Sequence, residues 1–315
     1  MDGISRPERK HVYQSRMLDS PRWDSFEPRD DDIIISTSYK GGTTWTQTIV
    51  GMLVFGKPQL PMPLRDLSPW VEFAITPPEY APSVFGPQTH RRFLKTHLAL
   101  DAVPYFDNVK YIFVARDGRD VVMSLWHHFQ NYADGFLYMV NGSDWNDHGD
   151  PHPPVPAEFR EFWTNWITRG WYPWESDGYP YWSHFRHART WWDYRNLPNI
   201  LLVHYNDLLA DLPGEIRCIA AYLDIDLPDE TMATIAHATT FDEMKKDADR
   251  NIPSVQEVWR DYTKFFNKGT NGRWRDVLTD DDLALYEKAV ERSLTPQLRA
   301  WMESGRLALG ESALD

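Results

Sequence analysis

The sequence predicts an α/β fold, a parallel β-sheet with helices on both faces, from three observations. Short apolar runs of strand length recur along the chain. Stretches with helical periodicity follow them, and a Gly-Gly turn joins the first such pair. Residues 32–37 (DIIIST) follow a turn-like PRDD and read as a buried strand. The run breaks at Tyr39-Lys40-Gly41-Gly42 and resumes as TTWTQTIVGMLVF, where Trp45, Ile49, Met52 and Leu53 recur at helical spacing. Strand, glycine loop and helix form the first half of an α/β unit.

Residues 92–96 (RFLKT) and 110–115 (KYIFVA) read as the second and third strands. Asp117 stands at a cap position before DVVMSLWHHF, whose apolar stripe has helical spacing. A fourth strand is expected at 200–204 (ILLVH), then a helix over about 213–223, with Pro213 suited to its first turn. Near the C-terminus Thr279 precedes three aspartates, an N-cap with acid where it complements the helix dipole. Two regions break this rhythm. Residues 131–158, rich in Asp, Asn, Gly, His and Pro, read as a long loop. Residues 159–194 carry Trp163, Trp166, Trp171, Trp174, Trp182, Trp191 and Trp192 among helix-like segments. The expectation is a single domain over 1–315 with a loop- and helix-rich subregion at 131–194.

Composition excludes several classes of function. A net charge of −13 argues against a nucleic-acid binder, which needs a basic face. An acidic chain that binds an anion must gather its cations locally, so clusters of Lys and Arg carry information. The single cysteine, Cys218, excludes an intrachain disulfide and a Cys-based zinc site, and is expected as a small buried apolar residue. The first residues (MDGISRPERKHVYQ) lack the apolar core of a signal peptide, and no uncharged apolar run reaches the ~18 residues of a membrane span. A cytoplasmic location is expected, and the sequon at Asn141-Gly142-Ser143 is then chance. Trp, Tyr and Phe number 15 each, an excess that suits either a large core or flat ligands.

The glycine loop is the strongest local signal. A strand that runs through Gly-Gly into a helix offers free backbone N–H groups and a positive dipole end to an anion. Lys40 adds a charge, and Thr43 and Thr44 add hydroxyls. The lysine precedes the glycines, so the Walker A pattern does not fit. Other clusters read as structural. His127 and His128 are adjacent, cannot share one helix face, and are taken as packing or supporting residues. His148 with His152, and His184 with His187, lack a third metal ligand, and no metal site is assigned.

Read together, six segments resemble the cytosolic-type sulfotransferases that use 3′-phosphoadenosine-5′-phosphosulfate (PAPS). TSYKGGTTW resembles that family's 5′-phosphosulfate loop, usually T-Y-P-K-S-G-T-T-W, and FLKTHL at 93–98 resembles the strand with its catalytic histidine. VARDGRDVVMSLWHHF resembles its 3′-phosphate site, an Arg followed by a Ser eight residues on. VHYNDL at 203–208, TTFDEMKK at 239–246 and FFNKGTNGRW at 265–274 resemble further nucleotide segments, the last written R-K-G-x-x-G-x-W. They occur in the family's order over about residues 30–295.

The resemblance implies a three-layer, P-loop NTPase-like fold and sulfuryl transfer from PAPS to a hydroxyl, with PAP as product and no metal required. It implies that His97 is the general base, that Lys40 neutralises charge on the leaving oxygen and that Lys95 steadies the sulfuryl group. Gly41, Gly42, Thr43 and Thr44 would cradle the 5′ end, Arg116 and Ser124 the 3′-phosphate. Trp45, Tyr205, Thr239 and Phe241 would surround adenine, with Asn267, Lys268 and Gly269 closing the site. The Trp-rich stretch and the loop before it would form the pocket for an apolar, aromatic or lipid-like acceptor, or the rings would simply pack helices.

Departures from the pattern carry consequences. Tyr39 and Gly41 replace the usual Pro and Ser, and Asn267 replaces an arginine; Lys268, Arg273 and Arg275 are the candidate compensating cations. The family's common dimer pattern appears as Arg275, Thr279, Asp280 and Ala284, with only the Thr unchanged, so the oligomeric state stays open. Two alternatives remain, a nucleotide-dependent phosphotransferase and a non-catalytic nucleotide-binding module. The first would need Mg²⁺; the second would have no use for Lys40, Lys95 and His97 together.

Overall fold

A computed structural model describes residues 5–252, 254 and 256–310. Residues 1–4 and 311–315, the ends of the expected single domain, lie outside the described residues. Four parallel strands form the sheet in the order β2-β1-β3-β4: β1 (Ile33–Ser36), β2 (Phe93–Thr96), β3 (Lys110–Ala115) and β4 (Ile200–His204). Each coincides with an expected run to within a residue or so. Apolar runs of this length stay continuous because both faces of a parallel sheet are covered.

Alternation along the strands sorts the core into two layers. Ile33, Ile35, Ile112 and Val114 face one cluster, which α1 (Thr43–Phe55), α6 (Leu212–Tyr222) and α7 (Asp229–Ala238) complete. Ile34, Tyr111 and Phe113 face the other. That layer holds α2 (Gly118–Gln130), α4 (Phe159–Thr168), α5 (His184–Trp192), α9 (Asp280–Ser293) and α10 (Pro296–Ser304). The short helices α3 (Phe136–Asn141) and α8 (Phe241–Lys246) lie beside the strand ends that form the site. At the opposite strand ends Asp32 and Arg92 form a buried two-point ion pair, and Arg92 also donates to the Glu27 carbonyl at 2.9 Å.

Helix boundaries follow local chemistry. Asp117 accepts from the Arg119 N–H at 2.8 Å and caps α2. Thr279 and Asp282 form a reciprocal capping box at α9. Asp211 caps α6, and Pro213 lies in its first turn.

Two expectations need correction. The 131–158 stretch is not plain loop. It contains α3, whose Phe136 and Val140 are buried, and it is anchored by buried Asn146 and His152. Cys218 is exposed, because Ile216, Ile219 and Ala220 supply the buried face of α6 and 218 falls on the outer one. Of the two readings left open for the tryptophans of 159–194, helix packing holds for most, with Trp163, Trp166 and Trp191 fully buried in the core. Among the described residues no helix is long and apolar enough to cross a membrane.

Candidate active site

The loop after β1 turns back on itself through two left-handed residues, Lys40 (φ 46°) and Gly42 (φ 117°). Glycine takes that conformation without strain, and a Cβ at 42 would come 3.2 Å from the Tyr205 ring. The loop is tied down from behind. Ser38 Oγ meets His184 Nδ1 at 2.7 Å, and the other nitrogen of that ring lies 3.1 Å from the Arg116 carbonyl, so one histidine joins the ends of β1 and β3. Trp182 donates to the Ser38 carbonyl, and Tyr39, turned inward, accepts from Trp166 at 2.7 Å. The first N–H groups of α1 have no partner within the helix. They open, with the positive end of its dipole, toward a cavity of about 1080 Å³ lined by Gly42, Thr43 and Thr44. Gly41 lies beneath that wall, where a Cβ would meet the Val114 carbonyl at 3.2 Å.

Lys95 and His97 are two residues apart along β2 and its extension, so both face this cavity. His97 Nδ1 is 2.8 Å from the Thr37 carbonyl oxygen. A carbonyl only accepts, so Nδ1 carries the proton and Nε2 keeps its lone pair. Burial, and then the Lys95 charge, hold the imidazole well below its usual pKa, so it is neutral. Behind it lies a carboxylate that sequence reasoning missed. Glu72 is fully buried and accepts from the His97 N–H at 2.6 Å, Thr96 Oγ1 at 3.0 Å, Trp23 Nε1 at 2.9 Å and Trp70 Nε1. Residues 69–71 run alongside β2 and bring it there, with the Lys95 N–H on the Pro69 carbonyl at 3.1 Å.

The lysines are electrostatically stressed. Lys40 is pushed down to about 7 by burial, then by Arg116 and Lys95. Lys95, with its ammonium 4.5 Å from the Trp70 ring centroid, is pushed down to about 8, mainly by burial. Cations crowded in this way are stabilised by an incoming anion.

Arg116, which also lines the cavity, is buried, and among the described residues no carboxylate lies within ion-pair distance of it. It donates to Asn271 Oδ1 at 2.6 and 2.9 Å and to the Lys40 carbonyl at 3.3 Å, with its guanidinium 4.0 Å from the Tyr205 ring. The neighbouring acids are engaged elsewhere. Asp117 pairs with Arg119, and Asp120 takes the Gly272 N–H at 2.7 Å. A buried guanidinium without a carboxylate suits an anionic ligand. Ser124, Asn267, Lys268, Gly269 and Arg273 line the same wall, whereas Arg275 is exposed beside Trp274. Trp45, Tyr205 and Phe241 line the cavity too, with Trp45 edge-on to Tyr205 at 5.3 Å. Thr239 does not reach it. Its hydroxyl turns back to Ile235 at 2.9 Å, and only its carbonyl contributes, by accepting from Trp45 Nε1 at 2.7 Å.

Many of the remaining lining residues are aromatic, and the 131–194 subregion supplies part of them through Tyr132, Phe136, Tyr181 and Trp182. Trp182 is the one tryptophan of the 159–194 stretch that lines the cavity. Further rings come from Trp70 and Phe73, from Phe129 near the end of α2, and from Trp259 and Phe265. His128 also lines it, with Nδ1 3.1 Å from Lys40 Nζ, and so is not merely a packing residue. His184 and His187, considered above as a pair, hydrogen-bond Ser38 and Ser36.

Residues 30–301 match the family model described as the sulfotransferase domain. A glycolipid sulfotransferase of Mycobacterium bovis is 34% identical over 94% of each chain. The mouse sulfotransferase 1 family member D1 is 28% identical over 85% of this chain and 84% of its own. In fold, the chain is similar to a mouse sulfotransferase crystallised with PAP, with a TM-score of 0.66, 22% identity and coverage of 90% and 92%. A retinol dehydratase in complex with androsterone and PAP gives 0.61, 24% identity and coverage of 89% and 87%.

Proposed function

Because the chain belongs to the sulfotransferase family, we propose that it transfers the sulfuryl group of PAPS to a hydroxyl of a lipid-like acceptor, with His97 as general base. The observation that carries this reading is the His97–Thr37 hydrogen bond, which leaves a neutral Nε2 lone pair on the cavity that Lys40 and Lys95 share. The cavity's chemistry suits the donor: helix N–H groups, Lys40 and carboxylate-free Arg116 line it together with aromatic rings. Relatives named for glycolipid sulfation, and a neighbour holding a steroid, support a lipid-like acceptor.

When bound, PAPS supplies the sulfuryl group and departs as PAP. Lys40 and the N–H groups of Thr43 and Thr44 stabilise charge as the bond from sulfur to the phosphate oxygen breaks. Lys95 holds the equatorial oxygens. His97 Nε2 takes the acceptor's hydroxyl proton as the new oxygen–sulfur bond forms, a role worth typically ~10²–10⁴-fold. Arg116 and Ser124 bind the 3′-phosphate, and Trp45, Tyr205 and Phe241 enclose adenine. With two lysines supplying positive charge at the transferring group, transfer proceeds without a metal ion.

Calorimetric titration with PAP and with ADP tests this reading. Tighter binding of PAP, reduced to the level of ADP by Arg116→Ala, supports it. Equal affinity in the wild type would overturn the assignment of a 3′-phosphate site. Loss of transfer in EDTA would restore the phosphotransferase alternative.

A further inference from the structure

His127 and His128 point about 100° apart on one helix, as successive helical residues do, and they separate accordingly. His127 Nε2 meets Arg273 at 2.7 Å. His128 turns into the cavity and meets Lys40. With an anionic donor bound, Lys40 is an ammonium, and an ammonium only donates. Nδ1 of His128 is then the acceptor, and the ring proton sits on Nε2. An ammonium has three N–H groups, so this contact leaves two for the transferring group.

Among the described residues Nε2 of His128 has no hydrogen-bond partner, and it is not sealed from the cavity. The ring is held by Trp259, Tyr132 and Phe265 at centroid distances of 4.6, 5.2 and 5.7 Å. The indoles that share this wall direct their N–H groups elsewhere: Trp70 to Glu72, Trp182 to Ser38 and Trp259 to Ser254. Among aromatic rings and the Tyr132 and Tyr181 hydroxyls, the cavity thus presents two imidazoles of opposite character, His97 with a lone pair and His128 with an N–H. Burial, and then the charges of Lys40, Lys95 and His97, hold the His128 imidazole well below its usual pKa.

We propose that His128 selects the acceptor: its Nε2–H donates to a second oxygen close to the hydroxyl being sulfated, so that a sugar or other polyol headgroup is preferred to a lone alcohol. The inference rests on reading this cavity as the site of sulfuryl transfer. A lone alcohol on an apolar tail would displace water from the chamber and leave this N–H without a partner, which is how a site built around a hydrogen bond rejects the analogue that lacks it.

The test uses PAPS with octyl β-glucoside, its monodeoxy analogues and 1-octanol, on the wild type, His128→Phe and His128→Gln. Phenylalanine keeps the ring packing, glutamine restores an N–H donor, and melting temperature and PAP titration verify each variant. In the wild type, removing one hydroxyl should lower kcat/KM about tenfold. In His128→Phe the same removal should cost less than about twofold, and His128→Gln should recover part of the discrimination. Loss of the Lys40 contact slows every acceptor alike and divides out of this ratio. An equal deoxy penalty in wild type and His128→Phe would overturn the inference, as would a wild type that takes 1-octanol as readily as the glucoside. A wild type that binds PAP yet sulfates no hydroxyl would overturn the underlying reading of the site as well.

Discussion

The Thr37 carbonyl accepts from Nδ1 of His97 at 2.8 Å, so the loop that carries Lys40 also sets the tautomer of the histidine across from it. Neither residue can move without disturbing the other, and a ring that donates from Nδ1 has only Nε2 with which to accept a proton.

His97→Ala should lower kcat by at least ~10²-fold while leaving the dissociation constant of PAP within about twofold. Single-turnover kinetics and calorimetry read the two quantities separately. A variant that turns over at the wild-type rate would remove His97 from the chemistry.

Lys40 titrates at about 7 in the free protein, with Arg116, Lys95 and His128 facing it. An anionic nucleotide favours its charged form, so binding above that pH takes up a proton. PAP affinity should therefore fall as pH rises from about 7 to about 9, by at most about tenfold per pH unit for one proton. Lys95, at about 8, adds a second, later contribution of the same sign. Lys40→Arg should flatten the earlier limb, since arginine keeps its proton. Affinity that is constant or rises over this range would contradict the assignment.

Asn267 offers no charge, but Arg273 lines the wall beside it and Arg275 does not. Arg273→Ala should weaken PAP binding about tenfold, the scale of one charged hydrogen bond. Arg275→Ala should change it less than about twofold. The reverse order would mean that the compensating cation has been misidentified.

Glu72 satisfies four donors with one buried carboxylate. Glu72→Ala should destabilise the protein by about 3 kcal/mol or more, because those donors lose their acceptor without reaching water. Glu72→Gln keeps one acceptor oxygen but sets an amide N–H against a donor, at a cost of about 1–3 kcal/mol. Urea unfolding measures both, and an unchanged midpoint for the alanine variant would show that the network carries no stability.

Much of the scaffold was legible because its signals are local. The four strands, the turn at Lys40–Gly42, the Asp117 cap and the Thr279 cap each depend on backbone preferences and side-chain periodicity within a few residues. The Trp-rich stretch was harder to read. Helical spacing identifies a ring that will be buried, but not whether core or cavity will bury it. Trp163 and Trp166 went to the core, and Trp182 to the cavity wall.

By itself, the sequence determined a parallel α/β framework, an anion-binding turn and a lysine and histidine two residues apart on one strand face. Tertiary structure decided which groups meet there. Glu72 and His97 are 25 positions apart, Lys40 and His128 are 88, and Arg116 and Asn271 are 155. Such pairs leave no periodic or turn signature, because the sheet register and helix rotation that join them are set by burial of the whole core. The same holds for His127 and His128, neighbours in the chain that face different partners once the helix is packed.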